Sequence, residues 1–125
     1  MSVLIVDDEE DIGLMISVFL KKQGLKTDFS ARINSAKEMI EKNNYSIFFL
    51  DLNLPDGTGF DLIPLIKQKD PNSGIIVISA YDSADEMKRA TDLGSDLFIK
   101  KPFSRNEIIG AVNTLYKKDE KNLNH

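Results

Sequence analysis

Four short apolar runs in this chain end on side chains suited to phosphate chemistry. Val3-Leu4-Ile5-Val6 leads into Asp7 and Asp8, and Ile47-Phe48-Phe49-Leu50 leads into Asp51. Ile75-Ile76-Val77-Ile78 ends at Ser79, and Leu97-Phe98-Ile99 runs on to Lys100, Lys101 and Pro102. In an open α/β sheet, ligands bind outside the carboxyl ends of the strands. Three carboxylates, a hydroxyl and an ammonium would then converge on one sheet edge. Asp7 and Asp8 also open an unbroken acidic run to Asp11. Favourable charge at a helix N-terminus, about 0.3–1 kcal/mol per residue, accounts for Glu9, Glu10 and Asp11. It does not account for Asp7 and Asp8, which stand at the strand end where Asp51 is a near neighbour. Like charges held that close raise one another's pKa and destabilise the fold unless a cation is supplied. A hard divalent cation with oxygen ligands supplies it, and Mg²⁺ takes one or two carboxylates while keeping waters for substrate oxygens.

Each residue has a plainer reading when taken singly. Asp51 before Asn53-Leu54-Pro55-Asp56-Gly57-Thr58-Gly59 reads as a turn former, Ser79 as a strand-end hydroxyl, and Lys101 as a solvated lysine. The repetition of suitable groups at the same edge of four successive runs favours one site.

The elements that must position these groups follow from the hydrophobic pattern. Short apolar runs alternate with segments of helical period, the signature of βα units around a parallel sheet with right-handed crossovers. Ile12, Ile16, Phe19 and Leu20 form a helical stripe that Gly24 stops. Lys26-Thr27-Asp28-Phe29 is a second strand, followed by a helix carrying Ile33, Ala36 and Ile40. Tyr45 to Leu50 is the strongest strand, apolar on both faces as a central parallel strand must be. Thr58 and Asp61 mark the start of a third helix through about Lys67, in which Pro64 predicts a distortion or kink. Ser83-Ala84-Asp85-Glu86 and Ser104-Arg105-Asn106-Glu107 have the capping-box form and open the fourth and fifth helices. Ile108, Val112, Leu115 and Tyr116 share one face of the last helix. The expectation is one α/β domain over residues 1–118, a three-layer doubly wound fold of five strands and five helices. A frayed polar tail over 119–125 follows.

At 125 residues the chain is one domain by length, with 42% hydrophobic and 29% charged residues, a soluble globular profile. A net charge of −4 with no basic stripe argues against nucleic-acid binding. The absence of cysteine excludes disulfides and thiolate metal sites. No apolar run reaches membrane-spanning length, and the first strand begins almost at Met1, so a cytoplasmic location without membrane attachment is expected.

From Val3 to about Tyr116 the chain resembles the receiver domain of two-component response regulators. The resemblance is carried by Asp7-Asp8, by Asp51 with the loop to Gly59, by Ser79-Ala80 and by Lys101-Pro102-Phe103. Asp92-Leu93-Gly94-Ser95-Asp96, leading into the fifth strand, adds to it. It implies a flavodoxin-like sheet of order 2-1-3-4-5 and a phosphoacceptor signalling module rather than an enzyme. Asp51 is then the nucleophile that takes a phosphoryl group from the phosphohistidine of a histidine kinase or a histidine phosphotransfer protein. Asp7, Asp8, Asp51 and the backbone carbonyl of Asn53 hold Mg²⁺, and Lys101 neutralises a phosphoryl oxygen. Ser79 and Phe98 act as switch residues that alter the surface of the fourth helix, fifth strand and fifth helix, where a downstream effector docks. Phe98 has no phenolic hydroxyl and can signal only by packing. A cis Lys101-Pro102 bond is also implied.

Tyr81, two past Ser79, is larger than the residue many members carry there, and its ring is expected to shield the acyl phosphate from water. The Asn106-Glu107-Ile108-Ile109-Gly110-Ala111 stretch lacks the arginine-rich face of receivers that dimerise through charge pairs. Three other functions fit parts of the pattern. A haloacid-dehalogenase-type phosphohydrolase uses a strand-end Asp with Mg²⁺ but wants a second Asp where Asn53 stands. A flavin or nucleotide carrier needs a Gly- or Ser/Thr-rich loop after the first strand, where Asp7-Asp8-Glu9-Glu10 would repel the phosphate. A phosphorylation-independent docking module on the receiver fold would not need the set of Asp7, Asp8, Asp51 and Lys101.

Overall fold

The computed structural model describes residues 1–80 and 83–123, with residues 117–123 by backbone alone. Five strands, β1 (Ser2–Val6), β2 (Lys26–Ser30), β3 (Ile47–Asp51), β4 (Gly74–Ser79) and β5 (Leu97–Lys100), form a parallel sheet of order 2-1-3-4-5. Helices α1 (Glu10–Lys21), α2 (Ile33–Lys42), α3 (Leu62–Lys69), α4 (Ala84–Leu93) and α5 (Arg105–Leu123) alternate with them. The side-chain period of two sends alternate residues of each strand to opposite faces. Val3, Ile5, Phe49, Ile76 and Ile78 pack under α1 and α5 with Ile16, Leu20, Ile108 and Leu115. Leu4, Val6, Phe48, Leu50, Ile75 and Val77 pack under α2, α3 and α4 with Ala36, Ile40, Leu62, Ile66 and Ala90. All five residues of β3 are buried, as the both-face apolar pattern requires.

The helix signals have local causes. Gly24 takes a φ of +81°, a left-handed conformation that suits the end of α1. Ser83 Oγ accepts from the Glu86 N–H. At α5 the capping box is reciprocal: Ser104 Oγ accepts from Glu107 N–H and Glu107 Oε1 accepts from Ser104 N–H, each at 3.1 Å.

One stretch differs from the sequence reading. The loop after β3 holds a small antiparallel ladder, Asn53–Leu54 against Gly57–Thr58, and a 3₁₀ turn, Gly59–Asp61. Thr58 caps that turn through Phe60 N–H, and α3 begins only at Leu62. Pro64 therefore falls in the first turn of α3, where its missing N–H had no helical partner to lose. A helix starting at Thr58 and bent at Pro64 is replaced by a turn followed by a short helix. The backbone of α5 runs to Leu123. Lys and Glu in Lys117-Lys118-Asp119-Glu120-Lys121 are good helix formers and propagate it. Residues 124 and 125 lie outside the described residues. No helix among the described residues is long and apolar enough to cross a membrane.

Candidate functional site

Register brings the strand-end groups to one edge. Val6 pairs with Leu50, Asp51 with Ile78, and Ser79 with Lys100, so the residues at or just past these pairs share the carboxyl end of the sheet. Asp7 is fully buried one residue past β1, its N–H held by Ser30 O at 3.1 Å. Its Oδ1 accepts from Glu9 N–H at 2.8 Å. Asp51 closes β3 and is also buried, with Oδ1 accepting from Asn53 N–H at 3.1 Å.

Lys101 stands in the bend after β5, its N–H donating to Ser79 O at 2.8 Å. Its Nζ lies 2.9 Å from Asp7 Oδ2, 3.1 Å from Asp51 Oδ2 and 3.1 Å from Glu9 Oε1. The Lys101–Pro102 peptide is cis.

Burial pushes the Asp7 carboxyl up to about 6, and the Asp51 charge adds to this. The Glu9 N–H and the Lys101 ammonium oppose it. Burial works against the Lys101 ammonium, but the hydrogen bond and charge of Asp7, followed by the charge of Asp51, outweigh it and raise its pKa.

One oxygen from each of Asp7, Asp8, Glu9 and Asp51 lies within 4.8 Å of the others. Asp8 and Glu9 are exposed, so the cluster opens to solvent on one side. Asp7 Oδ2 is buried against the Lys101 ammonium, 2.9 Å away. A set of hard carboxylate oxygens, two of them from buried residues, suits a divalent cation that prefers oxygen.

The other residues expected at the site take different positions around it. Ser79 is fully buried at the end of β4 and Ala80 after it is exposed. Asn53 is exposed and starts the ladder behind Asp51. Phe98 is half-buried in β5 and packs against the core on the α2–α3–α4 face. Tyr81 lies outside the described residues.

Three residues at this site carry roles that sequence reasoning missed. The charge preference of a helix start accounts for a Glu at position 9, yet its side chain reaches Lys101. Asp56 reads only as a turn residue in Pro55-Asp56-Gly57, yet its carboxylate accepts from Ile33 N–H at 2.8 Å and Asn34 N–H at 3.1 Å. It thereby caps α2, whose own N-cap Arg32 makes no side-chain cap bond. Those two N–H bonds hold its carboxyl below the usual range. At Gly59 a Cβ would collide with the carbonyl oxygen of Asp51, so only glycine lets the loop close over the end of β3. The Gly-Thr-Gly spacing was the one available signal for it.

Five parallel strands in this order, covered by helices on both faces, make the flavodoxin-like fold, here with a carboxylate cluster at the ligand-binding edge. The family profile described as response regulator receiver domain matches residues 3–113, and the chain belongs to that family. It is 34% identical over 99 residues to the response regulator protein PilR of Pseudomonas aeruginosa, covering 79% of this chain and 22% of PilR. It is 33% identical over 115 residues to the transcriptional regulatory protein CssR of Bacillus subtilis, covering 91% of this chain and 50% of CssR. The chain thus spans half or less of the length of these two relatives. Among solved structures, the beryllofluoride-activated NtrC4 receiver domain dimer matches with a TM-score of 0.88 at 32% identity, covering 94% of this chain and 97% of that one.

Proposed function

We propose that this receiver domain takes a phosphoryl group onto Asp51 from the phosphohistidine of a partner histidine kinase or histidine phosphotransfer protein. The observation that carries this reading is the Lys101 ammonium set between two buried carboxylates, 2.9 Å from Asp7 and 3.1 Å from Asp51. In the reaction an Asp51 carboxylate oxygen attacks phosphorus, the P–N bond breaks, and the bonding pair leaves on the imidazole nitrogen. The protein's contribution is positioning and charge neutralisation, the terms that dominate phosphoryl transfer. Asn53 N–H and Lys101 fix the two oxygens of Asp51. Asp7, Asp8, Asp51 and the backbone carbonyl of Asn53 are the groups that would hold Mg²⁺, which when bound supplies positive charge beside the transferring oxygens.

The phosphorylated side chain carries about two negative charges, against one on the free carboxylate, and brings three acceptor oxygens. Ser79 donates its hydroxyl to that group, and Phe98 shifts its packing in response, changing the α4–β5–α5 surface for a downstream effector. This is supported by the Lys101 N–H bond to Ser79 O, which ties the end of β4 to the site, and by the contact of Phe98 with the core. In cells the module would act as a soluble cytoplasmic component.

Incubation with acetyl phosphate and Mg²⁺ tests the reading by intact mass. One added phosphoryl group is expected in the parent and none in Asp51→Asn. An equal mass gain in both removes Asp51 from the role.

A further inference from the structure

The Lys101 ammonium has three N–H donors, and three carboxylates surround it. Asp7 and Asp51 are buried, whereas the Glu9 side chain is 60% exposed. The Glu9 backbone is fixed independently: its N–H donates to Asp7 Oδ1 and its carbonyl accepts from Ile12 and Gly13 N–H. Its side chain could extend into water from there, as Glu10 does from the next position, but it turns back to Lys101 with Oε1 at 3.1 Å. The charge preference of a helix start is served equally by Glu10 and Asp11 and does not explain that contact.

A phosphoryl group on Asp51 uses up the carboxylate charge that Lys101 holds and brings anionic oxygens in its place, so one of them takes over that donor and a second gains one only where Asp7 or Glu9 yields. Releasing the buried Asp7 leaves an uncompensated charge in the interior, whereas the exposed Glu9 is taken up by water. We propose that Glu9 is a positioning residue that holds the Lys101 ammonium beside Asp51 in the unphosphorylated chain and is displaced when the phosphoryl group forms. This rests on the reading of Asp51 as phosphoacceptor. With acetyl phosphate as donor, an Asp51 oxygen bonds to phosphorus and acetate leaves with the electrons of the broken P–O bond. The Glu9 carboxylate swings into water and no proton is exchanged.

Two readouts on the parent, Glu9→Gln and Glu10→Gln test it. In EDTA, lysine acetylation by N-hydroxysuccinimidyl acetate is followed residue by residue by mass spectrometry, with exposed Lys88 as reference. Lys101 should label about two- to fivefold faster in Glu9→Gln, the range of an exposed ion pair, and at the parental rate in Glu10→Gln. With Mg²⁺ and sub-saturating acetyl phosphate, the ratio of phosphorylated to unphosphorylated protein should rise by a similar factor in Glu9→Gln alone. A phosphorylated parent that Glu9→Gln matches in either readout overturns the role of Glu9 and leaves Asp51 standing. A parent that takes no phosphoryl group overturns the Asp51 reading and the displacement together.

Discussion

Burying the Asp7 carboxylate at the sheet edge carries an electrostatic cost. Its carboxyl is pushed up to about 6 in the folded chain from an ordinary 3.8, so the folded state binds that proton more tightly than the unfolded state. The group therefore subtracts stability as pH rises from about 4 to about 6, and the loss is complete above that window. Without divalent cation, the denaturation midpoint of the parent should fall across this window relative to Asp7→Asn, which has no such proton to lose. Mg²⁺ should reverse the loss, because a ligand bound only by the native state stabilises it and a protonated carboxyl is a poor ligand. Millimolar Mg²⁺ is expected to raise the melting temperature clearly at pH 7.5 and much less at pH 5. Equal shifts at the two pH values would count against Asp7 as a ligand.

At the scale of elements, α2 is capped at both ends by residues from outside it. Asp56 accepts from the first two N–H groups, and Lys69 donates to the carbonyl oxygens of Ile40 and Asn43 at the other end. The loop that follows Asp51 is consequently clamped to α2 rather than merely closing a turn. Asp56→Ala should speed amide hydrogen exchange at Ile33 and Asn34, with no comparable change at the Ser83 and Ser104 caps. Its folded carboxyl is held low, so the stabilisation is present above the unfolded value and lost as acid protonates it. Gly59→Ala meets backbone, which cannot rotate away. It should cost about 1–3 kcal/mol and slow acetyl phosphate labelling of Asp51 by moving the acceptor. Unchanged labelling would show that the loop yields elsewhere.

Across the whole molecule the two faces of β3 join two cores into one cooperative unit. Phe49 is fully buried under the α1 and α5 face. Phe49→Ala should cost about 3–5 kcal/mol in urea denaturation with an unchanged slope. A loss below about 1 kcal/mol would mean that the site collapses freely around the deletion. Because β3 ends in Asp51, that same burial supports the site as well as the fold.

The strands, the helix order and the convergence of Asp7, Asp51, Ser79 and Lys101 at one edge were legible in the amino-acid order. Apolar runs, capping boxes and parallel topology are local signals, and a parallel sheet puts all its carboxyl ends on one side. Proximity of particular atoms was not legible. That Glu9 turns to a lysine at the far end of the chain, that Asp56 caps a helix whose first residue lies 23 positions before it, and that Gly59 leaves room for the Asp51 carbonyl all depend on how the chain folds back on itself. Pro64 makes the same point: its type announced a break, but only the docking of the loop decided that it would open α3 rather than bend it. Local periodicity and capping are written residue by residue, whereas pairing across the sheet edge exists only once the layers have packed.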